Sequence, residues 1–279
     1  MSYGVIFILK KEDSLKMNVY LQSINGWDEA LTSLYMTRGN WTPELSEQIH
    51  KECNFMFTRN GMLNITQDDA EYLSVGNKAL YDSFMNRCRM LFSFGARHTT
   101  MMRFLDFAFV IDGLHRGAQD DWDAHAKRYD NRIIRLSTRV TSMKKVTNDG
   151  FDIVMSDYYK DKVLTLGQAA NILGIEFPDE LEYDGKTYIR SINGYVNKNE
   201  QTPDVKRGLY PLGLSSTFVF KCNLCEYPHV RALRIRKTEG LLESGHAHPE
   251  IWELVDKIDK ELIENIPYLT PEWLNSVKQ

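Results

Sequence analysis

An α+β fold is the expectation for this chain, and three features of its sequence lead there. Strand-like and helix-like stretches are interspersed without the regular beat of repeated βαβ units, which argues against a doubly wound parallel sheet. The stretch from Thr138 to Leu214 is dense in turn signals. Near the C-terminus one long apolar stripe at helical spacing marks a helix packed on a core.

Taken in order, "GVIFIL" (4–9) reads as a short strand. "TPELSEQIHKECNFMF" (42–57) opens on Thr42 as N-cap and Pro43 at the first helical position, where a missing N–H costs nothing. "TQDDAEYLSVGNKALYDSFMNRCRMLFSFG" (66–95) places Tyr72, Leu73, Leu80, Phe84, Cys88 and Leu91 near helical spacing and stops at Gly95. "FLDFAFVIDG" (104–113) sets Phe107, Phe109 and Ile111 on one side of a strand rich in aromatic and β-branched residues. A polar, helix-compatible stretch follows. "TNDG", "EYDGKTYI", "SINGYVN" and "NKNEQTPD" then suggest hairpins or insertions, and "STFVFKCNL" (216–224) reads as a buried segment of either type. From Pro249 to about Asn265, Ile251, Trp252, Leu254, Val255, Ile258, Leu262 and Ile263 form the long stripe, which Pro267 ends.

With 43% hydrophobic and 26% charged residues among 279, the chain can bury a full core. A single domain over 1–279 with insertions near 45–85 and 141–205 is expected. No apolar stretch approaches the ~18 to 20 residues of a membrane span. "MSYGVIFILKKEDSLK" has too short an apolar run, with lysines on the wrong side, for a signal peptide, so a cytoplasmic location is expected. Four cysteines in a chain this long are expected as reduced thiols. The net charge of −4 argues against a generally basic nucleic-acid binder, and no direct nucleic-acid binding is expected. Two local clusters, "RIIRLSTR" (132–139) and "HVRALRIRK" (229–237), can each hold a phosphate or form a solvated basic face.

Several chemistries lack their residues. There is no G-x-S-x-G elbow, Walker A loop or G-x-G-x-x-G. "CNLCEYPH" supplies Cys222, Cys225 and His229, and "GHAHPEI" adds His246 and His248, atoms zinc would accept. A second C-x-x-C or an H-x-x-x-H at finger spacing is missing, so buried small-hydrophobe cysteines compete with a zinc site and a redox dithiol. A phosphate would have to be held by arginines, hydroxyls and backbone N–H groups, and "RLSTR" (135–139) offers all three.

Three pieces in fixed order carry a resemblance. "YPLGLSSTFVFKCNLCEYPHVRALRIRK" followed by "GHAHPEIWEL" keeps Pro211, Leu212, Leu214, Phe218, Asn223, Leu233, Arg234, His246, Ala247, Glu250 and Ile251 in the order of L-P-L-x-L-x-T-x-F-x-x-x-x-N-A-R, x-L-R and H-A-Q-x-E-I. "FGARHTTMMRFLDFAFVIDG" is similar to H-G-x-x-T-P-F-E-H followed by an F-x-F strand. "AQDDWDAHAKRYDNRIIRLSTR" occupies the place of R-H-R, seven residues, S; "KRY" (127–129) or, in another register, "AHA" around His125 takes the R-H-R position. Covering about half the chain, these pieces resemble the flavin-dependent thymidylate synthases. The departures are specific. Arg135 stands where the family's E-x-S-x-R has its acid, Thr217 and Cys225 stand where it has arginines, and "IRKTEGLLES" separates Arg234 from His246.

The resemblance implies that family's fold, an antiparallel sheet with packed helices, and methylation of dUMP at C5 with methylenetetrahydrofolate, FAD and NADPH in a homotetramer. Arg234, with Arg236 as the second candidate, would set a guanidinium against the uracil carbonyl, where negative charge develops. Gln119, Arg135, Leu136, Ser137, Thr138 and Arg139 would bind the nucleotide, and Arg135 would offset the arginine replaced by Thr217. His98, Thr99, His125, Lys127, Arg128, Asn223, His229, His246 and His248 would line the flavin, with Lys127 and Arg128 on its phosphates; a plain surface histidine is the competing reading of His125. Two alternatives stay open: a diverged enzyme alkylating another uridine or cytidine nucleotide, and a non-catalytic nucleotide-binding protein.

Overall fold

The computed structural model describes residues 16–95, 98–123, 132–135, 156–159, 162–164, 166–191, 193–238, 241–244 and 248–276. β1 (Asn18–Asn25) leads into α1 (Trp27–Met36), α2 (Pro43–Met56) and α3 (Val75–Gly95). β2 (Asp106–His115), α4 (Arg116–Asp123), β3 (Arg132–Arg135) and α5 (Leu166–Leu173) follow. Next come the strands β4 (Glu180–Tyr183), β5 (Lys186–Ser191) and β6 (Gly194–Asn197), the single turn α6 (Pro203–Lys206), and β7 (Ser215–Asn223). The chain ends in α7 (Tyr227–Arg234), β8 (Ile235–Thr238), β9 (Leu241–Ser244), α8 (Pro249–Asn265) and α9 (Pro271–Ser276). A four-stranded sheet has the order β1-β2-β7-β3, while β4-β5-β6 and β8-β9 are antiparallel sheets. Helices with antiparallel sheets are the α+β class that the sequence predicts.

The chain divides into two compact units. One comprises Met1–Asn18, Ile111–Asp120 and Ile134–Phe218, the other Val19–Val110, Asp121–Ile133 and Val219–Gln279.

The second unit holds most of the helices. At α2, Pro43 opens the helix and Thr42 Oγ1 accepts from Leu45 N at 3.2 Å, the cap that the sequence predicts. The single helix expected over 66–95 is instead divided. Thr66 and Asp69 bond each other through backbone and side chain, which closes a local turn, and Leu73 is extended, so the long helix begins only at Val75. Tyr72 is accordingly exposed, whereas Phe84, Cys88 and Leu91 face inward as expected. Trp27 of α1 stacks on Phe57 at 4.8 Å, and Phe84 meets both rings edge-on. Phe107 and Phe109 of β2 are buried on one side, with Phe107 edge-on to Tyr227 at 5.4 Å. The predicted stripe of α8 buries Ile251, Leu254, Val255, Ile258 and Leu262.

Glu52 of α2 is fully buried. It accepts from Gln48 Nε2, Ser83 Oγ, Arg87 Nε and Arg87 Nη2, while Arg87 Nη1 donates to the Tyr35 hydroxyl of α1. One carboxylate and one guanidinium thereby tie three helices.

Gly61 closes the turn after α2, where its N–H donates to Thr58 O and Ile24 N donates to Asn60 O. Its φ is +72°, and a Cβ there would lie 1.4 Å from the Ile24 carbonyl oxygen. Gly61→Ala should therefore lower stability by about 2 kcal/mol or more, from backbone strain and lost turn bonds. Urea unfolding checks this, and an unchanged midpoint would contradict it.

In the first unit, "EYDGKTYI" and "SINGYVN" form the hairpins β4-β5 and β5-β6, while "NKNEQTPD" leads from β6 into α6. Asp184 and Gly185, both at positive φ, join β4 to β5 in the two-residue loop that Asp-Gly favours. "GVIFIL" and "TNDG" lie outside the described residues.

The cysteines are free, with Cys53, Cys88 and Cys222 buried and Cys225 half-buried. Burial pushes the Cys53 and Cys88 thiols up, away from the reactive thiolate form. A thiol reagent should label Cys225 alone in the native protein, with Cys53, Cys88 and Cys222 reacting only on unfolding; rapid native labelling of any of those three would contradict this burial.

Candidate functional site

The second unit builds its site around α7, a helix that the sequence presents only as the basic run "HVRALR". Asn223 ends β7 and closes the turn that leads into the helix: its Oδ1 accepts from Cys225 N at 3.0 Å and Glu226 N at 2.9 Å. Further along, Arg231 Nε donates to Asp259 Oδ2 at 2.7 Å and its Nη1 to Asn275 Oδ1, while the Tyr227 hydroxyl donates to Asp259 Oδ1 at 2.6 Å. Burial holds the Tyr227 hydroxyl well above its usual range, with Asp259 adding to the shift. Burial also raises the Asp259 carboxyl, partly offset by Arg231. Arg231 is thus a packing residue that fixes α7 on α8 and α9.

Arg234, the last residue of α7, is different. Its side chain is 4% exposed and Nη1 donates to Asp121 Oδ1 of α4 at 3.0 Å. Its Nε and Nη2 are buried without a hydrogen-bond partner among the described residues. These two N–H groups lie on one edge of the planar guanidinium, the edge that grips two oxygens or one oxygen and a ring nitrogen side by side. A buried donor pair without acceptors is costly, and water or a bound ligand relieves it. Trp122, next to Asp121, is fully buried with its ring edge-on to Phe220, which anchors the helix carrying the carboxylate. Arg236, the second candidate, stands on β8 opposite Glu243 of β9.

The other flavin candidates in this unit divide by what their atoms already do. Asn223 Oδ1 is engaged in the turn, and His248 is the N-cap of α8, its Nδ1 accepting from Glu250 N at 3.3 Å. His98 is exposed ahead of the short 3-10 turn Thr99–Arg103, its ring 4.8 Å from Phe94, and Thr99 and His229 are half-buried. His125, Lys127, Arg128 and His246 lie outside the described residues.

The first unit contains Gln119 and Arg135. Gln119 is fully buried; its Nε2 donates to Leu114 O at 2.9 Å, while Oε1 has no partner among the described residues. The Arg135 guanidinium is paired with Asp120 and also donates to Gln119 O at 3.0 Å. Arg116 has a buried Nη1 without a partner among the described residues; burial, with Arg135 nearby, pulls its pKa down. Two guanidiniums beside one carboxylate suit an anion. Thr217, which stands where the resemblance has an arginine, donates to the buried Asp112 carboxylate. Leu136, Ser137, Thr138 and Arg139 lie outside the described residues.

Sequence reasoning missed Asp121, Asp120 and Arg116, which read as an undistinguished polar stretch, "RGAQDD". The available signal was the placement of two carboxylates one helical turn beyond an arginine, on a helix that follows a buried strand.

No protein-family model and no curated protein matches the chain. Among solved structures it is similar to thymidylate synthase X of Helicobacter pylori with FAD and dUMP, at 15% identity over 92% of this chain and 99% of that one, TM-score 0.48. It is similar also to the flavin-dependent thymidylate synthase of Helicobacter pylori complexed with FAD and dUMP, at 13% identity over 94% and 98%, TM-score 0.47. A third is a UMP/dUMP methylase of Streptomyces cacaoi bound with 5-Br dUMP, at 12% identity over 94% of each chain, TM-score 0.46. The solved structures to which the chain is similar thus include flavin-dependent thymidylate synthases, the family that its motifs resemble.

Proposed function

We propose that the chain is a flavin-dependent methyltransferase acting at C5 of a pyrimidine nucleotide, with dUMP to dTMP as the simplest case and methylenetetrahydrofolate and NADPH as co-substrates. Arg234 carries the reading: a buried guanidinium, fixed by Asp121, has a two-donor edge without a partner among the described residues. Such an edge against a pyrimidine carbonyl stabilises the negative charge that develops when C5 becomes nucleophilic, and a low-dielectric site magnifies the effect. Bound FAD would supply the relay of carbon and hydride. His98, Thr99 and His229 are assigned to hold it, and Lys127 and Arg128 to bind its phosphates. The chain's own residues bind, orient and polarise. A homotetramer and a cytoplasmic location belong to the same reading.

Titration with FAD should give bound flavin with its ~450 nm band, and dUMP or UMP supplied with methylenetetrahydrofolate, FAD and NADPH should yield a methylated nucleotide. Protein that rejects FAD at all concentrations would sink the enzyme reading and leave nucleotide binding alone.

A second reading, alkylation of another uridine or cytidine nucleotide, is favoured by Thr217, whose hydroxyl is engaged with Asp112 where a phosphate-binding arginine is expected from the resemblance. On either reading Arg135 serves the phosphate from another direction, exchanging Asp120 for the nucleotide. Arg135→Ala should raise the nucleotide dissociation constant tenfold or more, about 1.5 to 3 kcal/mol for a charge-assisted contact. Equal binding by calorimetry would remove Arg135 from the site.

A further inference from the structure

The outward faces of α1 and α2 form a groove that the proposed reaction does not use. α1 turns Trp27, Ala30, Leu31 and Leu34 inward, and α2 turns Ile49, Glu52, Cys53 and Met56 inward. Their opposite faces, with Trp41 and Phe104, border a groove of about 710 Å³. Its apolar side chains are unusually open to water: Met36 is 61% exposed, Phe104 48% and Trp41 43%. Single exposed apolar residues need no explanation, but three large ones lining one groove mark a contact surface, and aromatic residues and Met are enriched at such contacts.

The charge of the lining is one-sided. Asp28, Glu29 and Glu47 line the groove, and among the described residues no lysine or arginine does. The lone histidine, His50, has its Nδ1 3.3 Å from Asp28 Oδ2. A hydrogen bond between the Asp28 and Glu29 side chains holds the Asp28 carboxyl below the usual range and, with burial, the Glu29 carboxyl above it. Two carboxyl groups sharing one site in this way are relieved by an incoming cation. Along α1 the lining runs from Asp28 to Met36, roughly 12 Å at helical rise, which matches about two turns of another helix laid against it.

We propose that this groove docks a cationic amphipathic helix of a partner protein, with apolar residues of the partner covering Met36, Trp41 and Phe104 and its lysines or arginines meeting Asp28, Glu29 and Glu47. Apolar anchors at i, i+3, i+4 and i+7 of the partner lie on the groove, and charge selects the partner and speeds encounter. A small inorganic cation does not account for the exposed tryptophan, phenylalanine and methionine. The inference is independent of the reaction proposed above.

The test uses the full chain and a fluorescently labelled 18-residue amphipathic helix of leucine and lysine, with a twin in which glutamate replaces lysine. By anisotropy the lysine peptide should bind, more weakly as salt is raised, and shift the tryptophan emission of the wild type but not of Trp41→Phe. Asp28→Asn, Glu29→Gln and Glu47→Gln together should weaken binding at least tenfold. Glu253→Gln, Asp256→Asn and Glu264→Gln together remove the same charge from α8 and should change binding less than twofold. The proposal is overturned if the lysine peptide does not bind, if the glutamate peptide binds equally, or if the α8 variant loses as much affinity. Sedimentation of the unliganded chain adds one more arm: self-association abolished by Trp41→Ala would assign the groove to a second copy and also overturn it.

Discussion

Arg87→Ala should destabilise the chain by about 3 to 5 kcal/mol, the cost of leaving a buried carboxylate without its counter-charge. Glu52 has no exposed surface, and Arg87 supplies two of its four hydrogen bonds. Ser83 and Gln48 remain after the substitution but carry no charge. The Tyr35 hydroxyl also loses its donor, so α1, α2 and α3 loosen together. Lys78→Ala provides the contrast. Its pair with Asp82 is an exposed i, i+4 contact, and its loss should cost less than about 1 kcal/mol. Replacing the buried pair together, Arg87→Met with Glu52→Leu, should recover most of the stability, because the unpaired charge is gone. Urea midpoints for the four proteins decide the matter. A single Arg87→Ala no worse than Lys78→Ala would mean that Glu52 is neutral or hydrated in the fold.

That network joins residues 31 to 52 positions apart, whereas other parts of the protein are written locally. Thr42 with Pro43, Asp184 with Gly185, and the α8 stripe each rest on residues within a few positions of one another, and each takes the predicted form. Between Thr66 and Asp69 the local signal was also present, but a capping pair resembles a helix start and here closes a separate turn. α7 was hidden for another reason. "HVRALR" reads as loose positive charge, because the partners that make it a helix face are distant in sequence: Asp259 lies 28 residues from Arg231, and Asp121 lies 113 residues from Arg234. The sequence ranked Arg234 ahead of Arg236 by motif order alone. What distinguishes it physically, a carboxylate on one end of the guanidinium and an edge without a partner among the described residues on the other, exists only once α4 and α7 pack.

The reaction proposed here makes Arg234→Lys the most informative single change. Lysine keeps the charge but cannot present two parallel N–H donors, so its ammonium would stay with Asp121 and leave the base without its clamp. Turnover should fall at least 100-fold, about 2.7 kcal/mol of transition-state stabilisation, the scale of losing one preorganised donor at a developing oxyanion. Nucleotide affinity should change much less, since the proposed donor edge acts most strongly as charge builds on the base. Asp121→Asn should reduce turnover more mildly, because an amide oxygen can still hold Nη1 while tightening it less. Arg236→Ala, on the strand that follows, should stay within about threefold of wild type if Arg234 alone clamps the base, because binding that is equal in ground and transition states contributes little to the chemical step. Single-turnover measurements with bound nucleotide, alongside the urea midpoint of each variant, separate chemistry from folding. If Arg234→Lys turns over normally while Arg236→Ala does not, the clamp belongs to β8, and the buried donor edge of Arg234 serves packing alone.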